Sequence, residues 1–206
     1  MTNPLYTLRE IEHQWKDADC DLAIVADFIW EETLEPNRAT LRPKTYVVAH
    51  IPDYLRFPLN LLAPLKLARA KPKRYAKVKP AKDVHEFKPL VEGAPPTPPS
   101  LDVTPDDIAV LQYTGGTTGL SKGAVLTHRN LSCNAQQIHS WFPKVDPGNE
   151  STLICLPLFH VFGLSVGMNW SIWSLSLIHI SEPTRRTPIS YAVFCLKKLS
   201  RMPSSA

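Results

Sequence analysis

Residues 113–123 read YTGGTTGLSKG and carry the most specific pattern in the chain. The chain has only eight glycines in 206 residues, and four of them, Gly115, Gly116, Gly119 and Gly123, fall within nine positions. Backbone N–H groups exposed at glycines form a concave anion site, to which threonine hydroxyls and a lysine ammonium add further donors. The segment therefore predicts a loop that binds a polyphosphate.

Two familiar phosphate loops are excluded by spacing. The segment lacks the Gly-Lys-Ser/Thr ending of a Walker loop, and no G-x-G-x-x-G dinucleotide fingerprint occurs in the chain. A flexible hairpin turn without a ligand remains the alternative for a loop rich in glycine and threonine.

Strand and helix patterns surround this loop. Apolar residues predict strands at 108–112 and 152–156, and 124–126 is a short apolar run. Thr127 is placed to cap a helix that carries apolar residues on one face at Leu131, Ala135, Ile138 and Phe142, and His128 is interpreted as a structural residue of the helix start. The uncharged run 153–180 predicts a buried strand and a core helix from about Phe162, with a membrane span as the alternative.

The first fifty residues alternate helix and strand signals. Thr7 and Glu10 have the spacing of a capping box, and Leu22–Ala26 is a short apolar run typical of a buried strand. A brief helix capped by Asp27 should end by Pro36, and the β-branched residues from 45 to 51 predict a second strand. This order predicts a βαβ unit with parallel strands, and hence an α/β fold.

Residues 53–105 are first leucine-rich, then basic, then rich in proline. Pro58 and Pro64 argue against a single straight helix across 53–69, and six prolines make 89–105 an extended connection. Between Lys66 and Lys88 nine basic residues face two acidic ones, whereas the net charge of the whole chain is only +4. Such a patch predicts an anionic partner, or else a solvated loop.

Three motifs in a fixed order resemble one family. Residues 113–130, YTGGTTGLSKGAVLTHRN, are similar to the phosphate-binding signature of the adenylate-forming (AMP-binding) acyl-CoA synthetases, closest to long-chain fatty-acid–CoA ligases. Residues 3–7, NPLYT, with Glu10 and His13–Gln14, resemble an upstream stretch of these enzymes, and 156–163, LPLFHVFG, resemble a downstream one. The resemblance implies a partial N-terminal domain of the adenylate-forming fold, mostly parallel sheet with flanking helices.

The resemblance also implies a reaction and a site. The family joins a fatty acid to coenzyme A at the expense of ATP, through an acyl-adenylate, with Mg²⁺ accompanying the nucleotide. His160 would position the substrate. The ATP phosphates would be held by Thr114, Gly115, Gly116, Thr117, Thr118, Gly119, Lys122 and Gly123.

The resemblance divides the chain in two. Residues 1–173 are expected to be an incomplete part of the AMP-binding domain, with a basic and proline-rich surface insertion at about 53–105. Residues 174–206 resemble translated sequencing-adapter sequence and are expected to be a non-native tail. The family's later motif for Mg²⁺, its ribose-binding segment and its adenylation lysine are not found, so the chain by itself is expected to be inactive.

Other interpretations stay open. The acid could be aryl or short-chain, or the chain could come from a nonribosomal adenylation module. A small membrane-associated binding protein is a third possibility from a different class. The four cysteines have no short spacing and no signal peptide is visible, which predicts the cytoplasm. The leucine-rich and basic stretches, 53–88, resemble a surface insertion of long-chain ligases, which implies peripheral contact with an anionic membrane; no nucleic-acid partner is expected.

Overall fold

The chain divides into two units, Thr2–Leu101 and Asp102–Ala206, with Met1 grouped with the second. The computed structural model describes residues 1–71, 74–79, 81–114 and 121–180.

A three-stranded parallel sheet forms the centre of the first unit. Its strands are β1 (Leu22–Ala26), β2 (Thr45–Ala49) and β3 (Val84–Glu86), in that spatial order. The parallel pairing of β1 with β2 confirms the predicted βαβ unit, and β1 has the predicted bounds.

Helix α1 (Leu8–Asp17) precedes this sheet and begins at the predicted cap. The Thr7 N–H donates to Glu10 Oε2 at 2.7 Å, which satisfies a backbone donor at the helix start. Ile11 and Trp15 lie one turn apart on the same face and are buried against the core.

The connection from β1 to β2 is helical but not regular. Helix α2 (Asp27–Ile29) continues into a π-helical segment (Trp30–Leu34) and a 3₁₀ turn (Glu35–Asn37), so it ends one residue beyond the predicted Pro36. Trp30 and Leu34 are fully buried, and the Trp30 ring packs on Tyr46 of β2 with 4.8 Å between ring centroids. The first unit's core is therefore built from bulky side chains.

The prediction that Asp27 caps a helix is wrong. Ala26 occupies the cap and Asp27 is the first helical residue, with its side chain fully buried. Its Oδ1 accepts from the Phe28 N–H at 2.8 Å, and its Oδ2 accepts from His50 Nδ1 at 2.8 Å and from the Ala76 N–H at 3.0 Å. A buried carboxylate needs several donors, and these contacts tie the segment around residue 76 to the sheet.

The predicted insertion at 53–105 contains more regular structure than its sequence indicates. It includes α3 (Leu59–Ala68), strand β3 and α4 (Phe87–Glu92). The helix α3 begins after Pro58 but continues through Pro64, which removes a single intrahelical donor. The prediction of an extended connection over 89–105 is wrong at its start, where α4 covers residues 89–92; no helix or strand occurs in 93–105.

In the second unit the glycine-rich segment joins two antiparallel strands, β4 (Ile108–Thr114) and β5 (Lys122–Thr127). Their seven-residue connection, 115–121, is too short for a crossover between parallel strands, which needs a dozen residues or more. The α/β class with mostly parallel pairing is confirmed, and this hairpin is its antiparallel exception.

Helix α5 (His128–Trp141) follows β5 at the predicted cap. The Asn130 N–H donates to Thr127 Oγ1 at 3.2 Å, and the Thr127 N–H donates to Asn130 Oδ1 at 2.9 Å. This reciprocal pair confirms the predicted helix start, and His128 is its first residue.

The uncharged run 153–180 is divided among three elements. It contains the second half of β6 (Ser151–Ile154), a helix made of a π-helical segment (Gly163–Trp170) and α6 (Ser171–Trp173), and β7 (Leu177–Ile180), which pairs parallel with β6. We call the helical part, residues 163–173, the Gly163 helix. Within the described residues, no helix has both the length and the apolar character needed to cross a membrane.

Strand β7 lies inside the predicted non-native tail, 174–206. The remainder of that tail, from residue 181 onward, lies outside the described residues. The division of the chain at residue 173 stays a prediction.

Candidate active site

The β4–β5 hairpin fixes both ends of the predicted phosphate loop. Thr114 and Lys122 form the last pair of the ladder and are both exposed. Because directly opposite residues project from the same face of a sheet, a hydroxyl and an ammonium group stand side by side at the loop's base. The other predicted loop residues, Gly115, Gly116, Thr117, Thr118 and Gly119, lie outside the described residues.

Gly123 has a packing role in the hairpin. It pairs with Tyr113, and a Cβ atom at this position would lie 3.1 Å from Cζ of the Tyr113 ring. That distance is shorter than an ordinary van der Waals contact, so the absent side chain makes room for the ring. The predicted role of Gly123 in phosphate binding stays a prediction.

Gln112 connects the hairpin to a second predicted motif. Its side chain is buried, and its Nε2 donates to the backbone carbonyl of Phe159 at 3.3 Å. Residues 156–162, here called the Leu156 loop, contain Phe159. Since Gln112 lies two residues before Thr114, both side chains are on one face of β4, the face that also carries Lys122. The structure therefore brings the phosphate-loop base and the Leu156 loop to the same side of the hairpin.

The interpretation of the sequence missed Gln112. A polar side chain inside the apolar run 108–113, directly before the glycine cluster, is the signal that could have identified it. Its Oε1 is buried and has no hydrogen-bond partner among the described residues. A buried amide oxygen without a hydrogen bond lowers the stability of the fold. Because Gln112 also lies where the two motifs meet, we assign it to the candidate site.

His160 is exposed, so the alternative that it packs in the core is wrong. Its Nδ1 accepts from the Phe162 N–H at 3.2 Å, and its backbone carbonyl accepts from the Leu164 N–H at 2.9 Å. In the neutral ring, an accepting Nδ1 assigns the proton to Nε2. His160 Nδ1 thus accepts a hydrogen bond from the backbone at the start of the following helix, and His160 Nε2 presents an exposed N–H donor.

Gly163 allows the Leu156 loop to lie in close contact with the start of the Gly163 helix. A Cβ atom at Gly163 would overlap the carbonyl oxygen of Pro157 and lie 3.0 Å from that of Leu156. The helix start can approach the loop backbone only because residue 163 has no side chain. This contact fixes the turn that carries His160, whose N–H donates to the Pro157 carbonyl at 3.0 Å.

The start of α5 is tied to the end of the proline-rich connection. Arg129 binds both carboxylate oxygens of Asp106, with Nε–Oδ1 at 2.8 Å and Nη2–Oδ2 at 3.0 Å. Hydrogen bonding to the guanidinium lowers the pKa of the Asp106 carboxyl and raises the pKa of Arg129. The Arg129 N–H also donates to the Pro105 carbonyl at 2.7 Å. The helix that follows the hairpin is thereby fixed at its first turn.

The exposed donors of this site suit an anion better than a metal. Thr114, Lys122 and His160 Nε2 offer hydrogen bonds and a positive charge, which match phosphate and carboxylate oxygens. In the part of the chain that the structure describes, no three His, Cys, Asp or Glu side chains come together as metal ligands.

The chain is similar to known proteins over most of its length. A family described as AMP-binding enzyme matches residues 1–199. A long-chain-fatty-acid–CoA ligase of Bacillus subtilis (strain 168) is 37% identical over 174 residues, which are 83% of this chain and 30% of the relative. One of Yersinia pestis is 36% identical over 169 residues, 80% of this chain and 29% of the relative. The chain thus spans about 30% of the length of these relatives.

Among solved structures, the anthranilate CoA ligase AuaEII in complex with anthranoyl-AMP shares the fold. Its TM-score is 0.64 at 20% sequence identity, covering 88% of this chain and 30% of that protein. The family match and the curated relatives, together with this shared fold, place the chain in the family of AMP-binding enzymes.

Proposed function

We propose that this chain is the phosphate-binding part of an acid–thiol ligase that acts on long-chain fatty acids. The enzyme would convert ATP, a fatty acid and coenzyme A into acyl-CoA, AMP and diphosphate through an acyl-adenylate. The observation that carries the proposal is the Gln112–Phe159 hydrogen bond, which joins the phosphate-loop hairpin to the Leu156 loop. The names of the curated relatives support the acid class.

The chemistry explains why such a site needs these groups. A carboxylate is a poor acyl donor, and transfer of AMP to it supplies a leaving group. Attack of one anion on another requires alignment and neutralisation of charge. The Lys122 ammonium and the Thr114 hydroxyl would bind the β- and γ-phosphate oxygens from the base of the loop. The loop's glycines and threonines, residues 115–119, would add backbone and hydroxyl donors.

His160 would contribute a positioned donor. Its Nδ1 is engaged by the backbone, so its Nε2–H is free to orient an oxygen of the acid or of the nucleotide. The donor set around the hairpin fits a polyphosphate. No described residue is assigned to Mg²⁺, which would arrive with the nucleotide and neutralise its charge.

The setting of the reaction follows from its substrate. A long-chain fatty acid partitions into bilayers, so we propose a cytoplasmic enzyme that meets its substrate by peripheral contact with an anionic membrane. The relatives do not favour the alternative of a small membrane-associated binding protein.

Binding of nucleotide to the 206-residue chain tests the proposal. Calorimetric titration should show that ATP and inorganic tripolyphosphate bind more tightly than AMP, because the loop is proposed to bind the β- and γ-phosphates. Lys122→Ala should weaken ATP binding by about tenfold to a hundredfold, the value of a charged hydrogen bond.

Lys144→Ala is the matched control, because Lys144 is an exposed lysine of the same unit outside the hairpin. Circular dichroism of each variant checks that it folds as the parent chain does. Equal affinity for ATP and AMP, or equal losses in the two lysine variants, would overturn the assignment of the loop.

A further inference from the structure

Helix α3 exposes an apolar face. Its outward side carries Leu61, Leu62 and Leu65, which are 64%, 59% and 61% exposed. These three residues, here called the leucine face, lie together because they are one and four positions apart along a helix. The opposite side, at Asn60, Ala63, Pro64 and Leu67, is half-buried against the rest of the first unit.

Two aromatic residues before α3 and the first residue of the helix are exposed as well. Tyr54, Phe57 and Leu59 are 61%, 78% and 57% exposed. Single exposed apolar residues are common on soluble proteins, but a contiguous group of large ones marks an interaction surface. Eight of the ten residues of α3 are apolar; such a helix is normally covered by protein or by lipid, and α3 is covered on one side.

Positive charge surrounds the end of the leucine face. From residue 54 to residue 82 the sequence has nine Lys and Arg and no Asp or Glu. Lys66, Arg69, Lys71 and Arg74 are exposed, and none of the four forms an ion pair with another described residue. The Arg74 N–H donates to the Leu67 carbonyl at 3.1 Å, which returns the basic segment to the end of the helix.

We propose that this surface docks on an anionic lipid bilayer. The leucine face would enter the boundary between headgroups and acyl chains, while the four basic side chains remain at the level of the lipid phosphates. The negative surface potential of such a membrane attracts a long segment of basic residues that contains no carboxylates. Nucleic acid is a less suitable partner, because it would leave the exposed leucines without an apolar contact. A second copy of the chain is less suitable because its basic segment would repel this one.

This inference rests on the proposed function for its purpose, since the docked helix would bring the enzyme to the membrane that holds its fatty acid. Its chemistry is independent of the nucleotide site. The docking proposal and the proposal of a nucleotide site can therefore fail separately.

Flotation with lipid vesicles tests the docking surface. The full chain should float with vesicles of phosphatidylglycerol and phosphatidylcholine, and not with vesicles of phosphatidylcholine alone. Exchanging Lys66, Arg69, Lys71 and Arg74 for Gln should lower the partition coefficient by about a hundredfold or more, because each of the four charges near the surface contributes about fivefold. Exchanging Leu61, Leu62 and Leu65 for Ser should cause a loss of about tenfold or more through the lost apolar insertion.

Matched controls carry the same changes elsewhere. Exchanging Arg9, Lys16, Lys44 and Lys144 for Gln removes four exposed charges outside the surface, and exchanging Leu5, Leu90 and Leu101 for Ser removes three exposed leucines of the first unit. These controls should float like the parent chain, and the three leucine-face exchanges should leave ATP binding unchanged. Circular dichroism verifies the fold of every variant.

Several results would overturn the proposal. They are the absence of binding to the anionic vesicles, equal binding to both vesicle types, and equal losses in the surface variants and their controls. Self-association that is lost with the leucine face would assign the surface to a second copy. Displacement from vesicles by polyglutamate, with no effect of the leucine exchanges, would assign it to an acidic protein.

Discussion

The two units of the chain position their backbones by opposite means. The first unit contains one glycine, Gly93, and fills its interior with large side chains such as Trp30 and Tyr46. The second contains the other seven glycines, and at Gly123 and Gly163 an added Cβ atom would press on a ring or a carbonyl. Large side chains fix the separation of elements, whereas missing side chains allow segments to touch. In the unit that carries the candidate active site, glycines allow neighbouring segments to lie in close contact.

Removing bulk from the first unit should have the largest effect. Trp30 is 1% exposed, and Trp30→Ala should lower the free energy of unfolding by about 3 to 5 kcal/mol through lost burial and a cavity. Equilibrium unfolding in urea, followed by circular dichroism, measures the change. Trp141→Ala is the control, since that tryptophan is 83% exposed and should cost less than about 0.5 kcal/mol. Similar losses in both variants would show that the first unit does not depend on its packed interior.

Adding bulk to the second unit should have the next largest effect. Gly163→Ala places a methyl group against the Pro157 carbonyl, and we expect the free energy of unfolding to fall by about 2 to 3 kcal/mol. A Cβ at Gly148 meets no atom within 4 Å, and only its positive φ of 86° opposes a side chain. Gly148→Ala should therefore cost about 1 kcal/mol. Equal costs would mean that the Leu156 loop moves away without penalty.

The smallest effect concerns a surface charge pair of the second unit. Arg129 lowers the pKa of Asp106, so the pair's stabilisation is complete above the unfolded-state pKa and is lost as the pH falls through the lower folded-state pKa. Arg129→Gln should raise the pKa of Asp106 toward its ordinary value, as measured by carbon NMR titration of the carboxyl. Arg9→Gln, an exposed arginine of the first unit, should leave that titration unchanged. An unchanged curve in the Arg129 variant would show that the pair does not form in solution.

Local signals in the sequence were sufficient where one segment determines its own structure. Strand β1 and the cap at Thr127 have their predicted positions, because an apolar run and a capping side chain act within a few residues. Strand β3 was missed because only Val84 of its three residues is buried, which leaves no apolar pattern to detect. Asp27 was assigned to a cap because its partners His50 and Ala76 are distant in sequence.

Only part of the candidate site could be predicted from the sequence. The phosphate loop is predicted from its glycines, threonines and lysine, and the role of His160 is predicted from the resemblance to the family; both roles stay predictions. Gln112 was missed, since its role depends on a contact with Phe159, 47 residues away. The antiparallel pairing of β4 and β5 could have been predicted from the sequence, because the connection between them is too short to join parallel strands.

The ladder of the hairpin has a consequence for how the loop can vary. Thr114 and Lys122 are held opposite each other by strand pairing, so the two attachment points of the loop are set independently of what lies between them. Insertions or deletions within 115–121 would change how far the loop reaches while its ends keep their spacing. Evolution or design could therefore resize the proposed binding loop without rebuilding the scaffold beneath it.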